Sequence, residues 1–420
     1  MEETRSSAPE STHNAGILSR ISSYRPLILV VAFISLFLQC LLNSFIVPTI
    51  AAFLNETETS IRIGVLLATN SFATIVANPF VGYIVYHGTT GPLLFGFFIF
   101  ALASFVSAFA NLIVSNVGKM YYVLIASRAV QGVGESAALT ASLAVIADRY
   151  PDQEERGAAM GKIFTGAGLG LIVGYPFGGA FANVPGGVDA GWKYPYIITG
   201  SLAVLALILS ALVLVGGNKS PRKSDEKPTS IWVLMRDSYI LVGFFALVLT
   251  AASLSLTEPI LPTWMKNNFH DPEATPSRVS YIMAAVSLAY VFAAPAAGKV
   301  PSRWWWLSAM IGMILIAVGM ALLPLVALFH KYNLYISLVP LVFMGVGVGA
   351  VDAAMSPLLG MVADVRYTSV YGTVYSIVST AFCVGFIISP IYGSAVARYV
   401  DFGWAAWSVA VATFVCSPLC

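Results

Sequence analysis

Twelve stretches of roughly twenty residues, each almost free of charge, leave this chain very few ways to fold. A membrane-spanning helix needs about 20 mostly apolar residues, whereas a membrane-spanning strand needs only about ten. The runs Pro26–Ala52, Ile63–Val85, Leu93–Val114, Tyr121–Ala147, Ala158–Ala182, Tyr194–Val215, Tyr239–Trp264, Val279–Ala297, Trp304–Leu328, Leu334–Leu359, Tyr371–Val396 and Phe402–Cys420 meet the helical length or nearly so. Hydrocarbon offers the backbone no water to bond, so segments of this length cross as helices. The expected fold is an all-α membrane protein of twelve transmembrane helices in two six-helix bundles. The longest polar interruption, Gly216–Asp237, carries Lys219, Arg222, Lys223 and Lys227 and falls between the sixth and seventh runs. The expected organisation is a tail over 1–25, a first bundle over 26–215, a linker over 216–237 and a second bundle over 238–420.

Composition excludes the soluble alternatives. Hydrophobic residues make up 58% of the chain and charged residues 10%, against about 25% charged in a soluble domain. No soluble fold hides that much apolar surface, so the lipid bilayer is the expected solvent. A net charge of +2 gives no footing for a nucleic-acid partner. Cys40, Cys383, Cys416 and Cys420 all lie in apolar stretches, and no Cys/His spacing suits a metal. The first run is about twice as long as the apolar part of a cleavable signal, so it is read as a retained span.

Orientation follows from the basic residues, which favour cytosolic loops. With the N-terminus in the cytosol, basic residues on that side outnumber those on the other two to one, and both termini and the linker are cytosolic. The sequon Asn55-Glu56-Thr57 then falls in the first non-cytosolic loop, making Asn55 a glycosylation candidate.

Ionisable residues inside spans cost about 2.5–3.5 kcal/mol on insertion scales and mark functional sites by default. In the fourth span Arg128, Gln131, Glu135 and Ser142 recur at helical spacing and form a polar stripe. Arg128 and Glu135, two turns apart, face a cavity or a partner without bonding each other directly. The tenth span carries Asp352 behind Gly345, Gly347 and Gly349, an acid among small residues that reads as a proton or cation site. Glu258 lies near the non-cytosolic end of the seventh span, open to either a cavity-lining or an interface reading. The fifth span repeats glycine at Gly166, Gly170, Gly174 and Gly178, with Pro176 beside the row. Such a row admits a second backbone at close range, and the proline invites a kink. The reading is a packing groove that also lets the two halves rock. Trp304, Trp305 and Trp306 read as an interfacial anchor. No phosphate-binding loop, nucleotide fingerprint or nucleophile constellation is present, so the chain does not read as an enzyme. Any work it does draws on an ion gradient or on the gradient of a solute.

These motifs resemble a known pattern. Arg128-x-x-Gln131-Gly132-x-Gly134 is similar to the fourth-helix motif of major facilitators, and Gly174-Tyr175-Pro176-Phe177-Gly178-Gly179 to the fifth-helix motif of their antiporters. Asn78-Pro79-Phe80, Asp152-Gln153-Glu154-Glu155-Arg156-Gly157, Glu258-Pro259, Val351-Asp352 and Val365-Arg366-Tyr367-Thr368-Ser369-Val370-Tyr371-Gly372 resemble the vesicular amine transporters, those for monoamines and acetylcholine. The likeness covers about residues 27–420. It implies a major facilitator fold and exchange of lumenal protons for a cytosolic cationic amine, in a secretory or synaptic vesicle membrane. No cofactor is implied beyond the proton gradient, and the chain is expected to act as a monomer. Asp352 would be the proton-coupling acid, Glu258 an acid near the substrate path, and Arg128 with Gln131 the fourth-helix pair. The chain departs from the family at Gln39, which stands where the family has a first-span aspartate. Asn70 and Ser379 replace a lysine and an aspartate that pair across the second and eleventh spans. Glu135 adds a carboxylate able to replace the one missing at Gln39. A carrier of a neutral or zwitterionic solute, and a non-transporting receptor or scaffold, remain open alternatives.

Overall fold

The computed structural model describes residues 25–54, 59–114, 117–182, 193–214, 229–268, 276–329, 334–367 and 371–420. Asn55, most of the tail and most of the linker lie outside the described residues. Twelve long helices make up most of the described residues: α1 Arg25–Leu54, α2 Thr59–His87, α3 Thr90–Ala108, α4 Val117–Arg149, α5 Gln153–Ala182, α6 Lys193–Leu214, α7 Ser238–Asn268, α8 Pro276–Gly298, α9 Trp305–Phe329, α10 Leu338–Arg366, α11 Tyr371–Tyr399 and α12 Phe402–Cys416. No strand occurs among the described residues. Each of the twelve contains a segment long and apolar enough to cross a membrane. Most run past the apolar stretches that mark them in the sequence. A 29-residue helix such as α10 is about 43 Å long at 1.5 Å per residue, which spans the headgroup layers as well as the hydrocarbon.

The packing repeats itself six helices on. In the first half α1 packs on α5, α4 packs on both α2 and α3, and α3 on α6; in the second half α7 packs on α11, α10 on both α8 and α9, and α9 on α12. The contacts between halves obey the same rule, with α5 against α8 mirrored by α11 against α2, and α5 against α10 mirrored by α11 against α4. Two six-helix bundles therefore meet along a pseudo-twofold seam. α4 is the most buried crossing, while α3 and α6 turn Phe95, Phe98 and Leu102 and Leu205, Ile208 and Leu212 outward. That outward apolar surface is what a lipid solvent requires.

On the side where α5 and α11 begin, here called the linker side, the seam closes through glycines. A side chain on Gly161 would meet the Ala294 carbonyl at 2.6 Å, and one on Gly157 the Gly298 carbonyl at 3.0 Å. The symmetric crossing brings Gly372 against the Gly82 carbonyl, 2.6 Å from where a Cβ would stand. Helices approach this closely only where side chains are missing. Arg156 of α5 adds a charge to the same closure. Its Nη1 donates to Asp364 Oδ2 of α10 at 2.8 Å, and its guanidinium lies 5.4 Å from the Tyr371 ring centre.

The tryptophan cluster divides in two. Trp304 and Trp306 are exposed, as an interfacial anchor requires, but Trp305 is fully buried. Its ring packs on Gly157, and its Nε1 donates to the Val300 carbonyl at 3.0 Å. Successive helical residues point about 100° apart, so one of three adjacent tryptophans turns into the seam.

At the start of α7, Asp237 Oδ2 accepts from Arg366 Nη1 at 2.8 Å and from the Tyr367 hydroxyl at 3.2 Å. Partial burial pushes this carboxyl up, but the bonds from Arg366, the Tyr239 N–H and Tyr367 outweigh it and hold Asp237 below the usual carboxylate range. A depressed carboxyl contributes stability above its unfolded value of about 3.9, and that stability is lost as pH falls through the folded value. Asp237→Asn is thus expected to lower the thermal unfolding midpoint at pH 7, with the deficit shrinking as pH falls below about 3.9 in a detergent melt series. Gly372→Leu is expected to cost roughly 1–3 kcal/mol through overpacking. Gly91→Leu, at a glycine with open space around it, serves as the control in the same melts and should be neutral.

Candidate functional site

Three carboxylates are buried within the membrane-spanning part of the described structure: Glu135 of α4, Glu258 of α7 and Asp352 of α10. Cys40 of α1 lies within electrostatic range of all three, so they surround one central region. Asp352 is 5% exposed. Its Oδ1 accepts from Thr250 Oγ1 of α7 at 3.1 Å, and its Oδ2 from the Tyr290 hydroxyl of α8 at 3.1 Å. The small residues around it in sequence have a structural purpose. Gly345 and Gly349 let α10 lie directly on the α8 backbone, which brings Tyr290 within reach. An acid held only by hydroxyls, with no basic side chain among its partners, is suited to taking up and releasing a proton.

Glu258 joins the halves. The Tyr175 hydroxyl of α5 donates to Glu258 Oε1 at 2.6 Å, and both residues are buried. A small cavity lined by Tyr175, Thr257, Glu258, Met283 and Ser287 lies beside the bond. Both readings open for Glu258 in the sequence apply at once: it lines a cavity, and it sits at the interface between bundles.

The α4 stripe splits. Arg128 is fully buried, and its Nη1 donates to Gln131 Oε1 at 3.1 Å and its Nη2 to Asn43 Oδ1 of α1 at 2.6 Å. Gln131 passes the chain on, its Nε2 donating to Ser104 Oγ of α3 at 3.0 Å. This network pins α1, α3 and α4 inside the first bundle, so geometry makes Arg128 and Gln131 a packing pair. Glu135 bonds elsewhere, as the spacing requires: its Oε2 accepts from Asn70 Nδ2 of α2 at 2.8 Å. Gln39 and Glu135 line the same small cavity.

The second and eleventh spans do meet, but Asn70 has given its amide to Glu135. The contact between halves runs instead from Ser136 Oγ to Asn78 Oδ1 at 2.6 Å and from Asn78 Nδ2 to Thr380 Oγ1 at 2.8 Å. The glycine row also divides its labour. Gly166 and Gly170 face the Phe33 and Phe37 carbonyls of α1, and Gly174 faces Ser44. The row therefore packs α5 inside its own bundle. The glycines that face the other half are Gly157, Gly161 and Gly168, the last against Tyr290 and Val291. α5 is one unbroken helix through Pro176. Sequence reading missed Tyr175, Tyr290 and Thr250 as partners of the acids. A hydroxyl set among glycines, as in Gly174-Tyr175-Pro176, was the available signal.

The Major Facilitator Superfamily model matches residues 32–250 and 243–420. The chain is 32% identical over 365 residues to the chromaffin granule amine transporter of Rattus norvegicus, covering 86% of this chain and 66% of that one. It is 30% identical to the synaptic vesicular amine transporter of Homo sapiens, covering 87% and 67%. It is 30% identical to the vesicular acetylcholine transporter of Tetronarce californica, covering 81% and 63%. The chain thus spans about two thirds or slightly less of the length of these relatives. The solved proton:xylose symporter XylE superposes with a TM-score of 0.75 at 16% identity, covering 95% of each chain. The human organic anion transporter MFSD10 superposes with a TM-score of 0.75 at 13% identity, covering 94% of this chain and 99% of that one. These two share the fold.

A double-mutant cycle tests the bond between halves. Tyr175→Phe and Glu258→Gln should each lower thermal stability, and the pair should cost less than the sum by about 1–2 kcal/mol, since contacting residues couple. Strict additivity would mean the two side chains do not interact in the folded protein.

Proposed function

The chain belongs to the major facilitator superfamily, within the vesicular amine transporter family, and from that premise we propose that it is a secondary transporter exchanging protons for an organic cationic amine. The reading places it in a vesicle membrane with both termini cytosolic, so that the linker side is the cytosolic side. Transport then proceeds by alternating access between two repeats that rock about the seam. The observation that carries the reading is Asp352, a buried carboxylate held by two neutral hydroxyls from neighbouring helices of its own half. A residue placed only to stabilise would not keep an unpaired acid in the membrane at that cost.

In this reading each group has a part. Asp352 takes a proton from the lumen when the seam opens that way and releases it to the cytosol in the other form. Tyr290 couples that event to the seam, because its ring packs on Gly168 of the first half while its hydroxyl holds Asp352. Glu258 engages Tyr175 in the form described here and is freed when the halves part on that side. On the linker side the Arg156–Asp364 pair and the two glycine crossings hold the halves together and must separate for the opposite opening.

Reconstituted into liposomes with an acidic interior, the protein should accumulate labelled monoamines against their gradient. Asp352→Asn should abolish that accumulation while leaving the protein folded and its amine-binding step measurable. Normal accumulation by the variant would overturn the role of Asp352, and no accumulation of any amine by the wild type would overturn the reading as a whole.

A further inference from the structure

The crossing of α5 on α8 carries an exposed basic surface that transport does not use. A side chain on Gly161 would stand 3.1 Å from the Gly298 Cα, so the two helices touch there. Lys162 follows Gly161 and Lys299 follows Gly298, and both are exposed. Arg303, four residues beyond Lys299, is exposed as well, its guanidinium 5.8 Å from the Trp304 ring centre. It stays beside the crossing because the next turn is fastened: Trp305 packs on Gly157 and bonds the Val300 carbonyl. Three cations thus flank one contact between the halves, Lys162 from the first and Lys299 and Arg303 from the second.

Among the described residues neither lysine side chain has an ion pair or a hydrogen bond. The acids at the start of α5 are mostly engaged elsewhere. Asp152 accepts the Glu155 N–H, and Glu155 pairs with Arg25 of α1. That leaves Glu154 against three cations. The surroundings set the depth of this surface. Trp304 and Trp306 are exposed, and such rings collect at the headgroup level. Lys162 lies nine residues into α5, about 14 Å along the helix, where a lysine stem runs along apolar surface and delivers its charge to the headgroups. Two and three turns before Lys299, Phe292 and Leu288 are exposed on the same side of α8. A strip of cations at headgroup level therefore continues into an apolar strip that runs toward the hydrocarbon.

We propose that this surface binds an acidic phospholipid, whose phosphate bridges Lys162 of the first half to Lys299 and Arg303 of the second while its acyl chains lie along Phe292 and Leu288. Ammonium and guanidinium groups only donate hydrogen bonds, and a phosphate diester offers only acceptors and a negative charge, so the bonds are charge-assisted. A zwitterionic headgroup brings its own cation to the same place and binds less well. A soluble phosphate matches the cations but gains nothing from the apolar strip. Because α5 and α8 belong to opposite halves, the bridge is complete only while the linker side is closed. The proposal needs the membrane-spanning fold alone and stands apart from the reading of proton exchange.

The test is thermal unfolding of the full chain in detergent micelles titrated with phosphatidylglycerol, with phosphatidylcholine and soluble glycerol phosphate as parallel arms. Phosphatidylglycerol should raise the unfolding midpoint in a saturable way, beyond any effect of the other two. Lys162→Gln and Lys299→Gln should each raise the half-saturating phosphatidylglycerol concentration about fivefold, the effect of one basic residue at an acidic surface. Arg303→Gln should act in the same direction. Arg236→Gln, at an exposed linker-side cation away from the crossing, should leave the titration unchanged. Since one phosphate serves both halves, the double variant Lys162→Gln/Lys299→Gln should weaken binding by less than the product of the single effects. No phosphatidylglycerol response in the wild type, an equal response to phosphatidylcholine or to glycerol phosphate, or a loss in Arg236→Gln matching that in Lys162→Gln would each overturn the site. Strictly multiplicative single effects would overturn the bridge, because they would mean that the two lysines meet separate headgroups.

Discussion

Hydrocarbon gives a polar group no partner, so the polar groups that hold this protein together find theirs within the protein. That constraint shapes the backbone first, into helices that satisfy their own N–H and C=O groups. It then acts on the side chains. Many of the buried serines and threonines bond back to carbonyls one turn earlier, as Ser104 does to Phe100 and Thr413 to Val409. The groups that cannot be satisfied within one helix reach for others, and those reaches hold the bundles in register. Arg128 draws α1 to α4, Asn70 draws α2 to α4, and Asp352 draws α7 and α8 to α10.

Polar networks in the two halves differ in character although the helices repeat. The α4 network around Arg128 and Gln131 is closed on itself and lies within one bundle. Asp352 occupies the repeat-related helix α10, with two neutral partners and no cation. A buried arginine among neutral acceptors keeps its charge, whereas an acid among hydroxyls changes its charge by gaining a proton. The repeat-related helices therefore carry a fixed cation among neutral partners in one half and an acid among neutral partners in the other. Glu135 stands between the two cases: it bonds Asn70 inside its bundle and lines a small cavity.

The seam between halves is built from contacts that are tight but not strong. Glycine crossings such as Gly82 on Gly372 depend on dispersion and shape, which vanish within an ångström or two of separation. Among the described residues the polar bonds across the seam include Arg156 to Asp364 and to the Tyr371 hydroxyl, Asn78 to Thr380, and Tyr175 to Glu258. An interface of this kind parts at small cost along a defined plane, while the row Gly166, Gly170 and Gly174 keeps α5 fixed to α1 inside its own bundle.

Length and hydropathy alone determined the class of fold, the twelve crossings and their division into six and six, because the bilayer admits no other use for such segments. The sequence also marked Asp352, Glu258 and Glu135, since an acid in an apolar run stands out without any structure. It could not assign their partners. Tyr290 lies 62 residues from Asp352, and Tyr175 lies 83 residues from Glu258. Nothing local in the chain says which face of α8 or α5 turns toward them. A periodic glycine row shows that some helix comes close, yet only packing decides which one, and here the row Gly166, Gly170 and Gly174 lies against α1. Trp305 shows the same limit, one of three identical neighbours sent into the core by the phase of a helix. What tertiary structure decided was direction, because direction depends on how helices far apart in sequence rotate against each other until their polar atoms are paired.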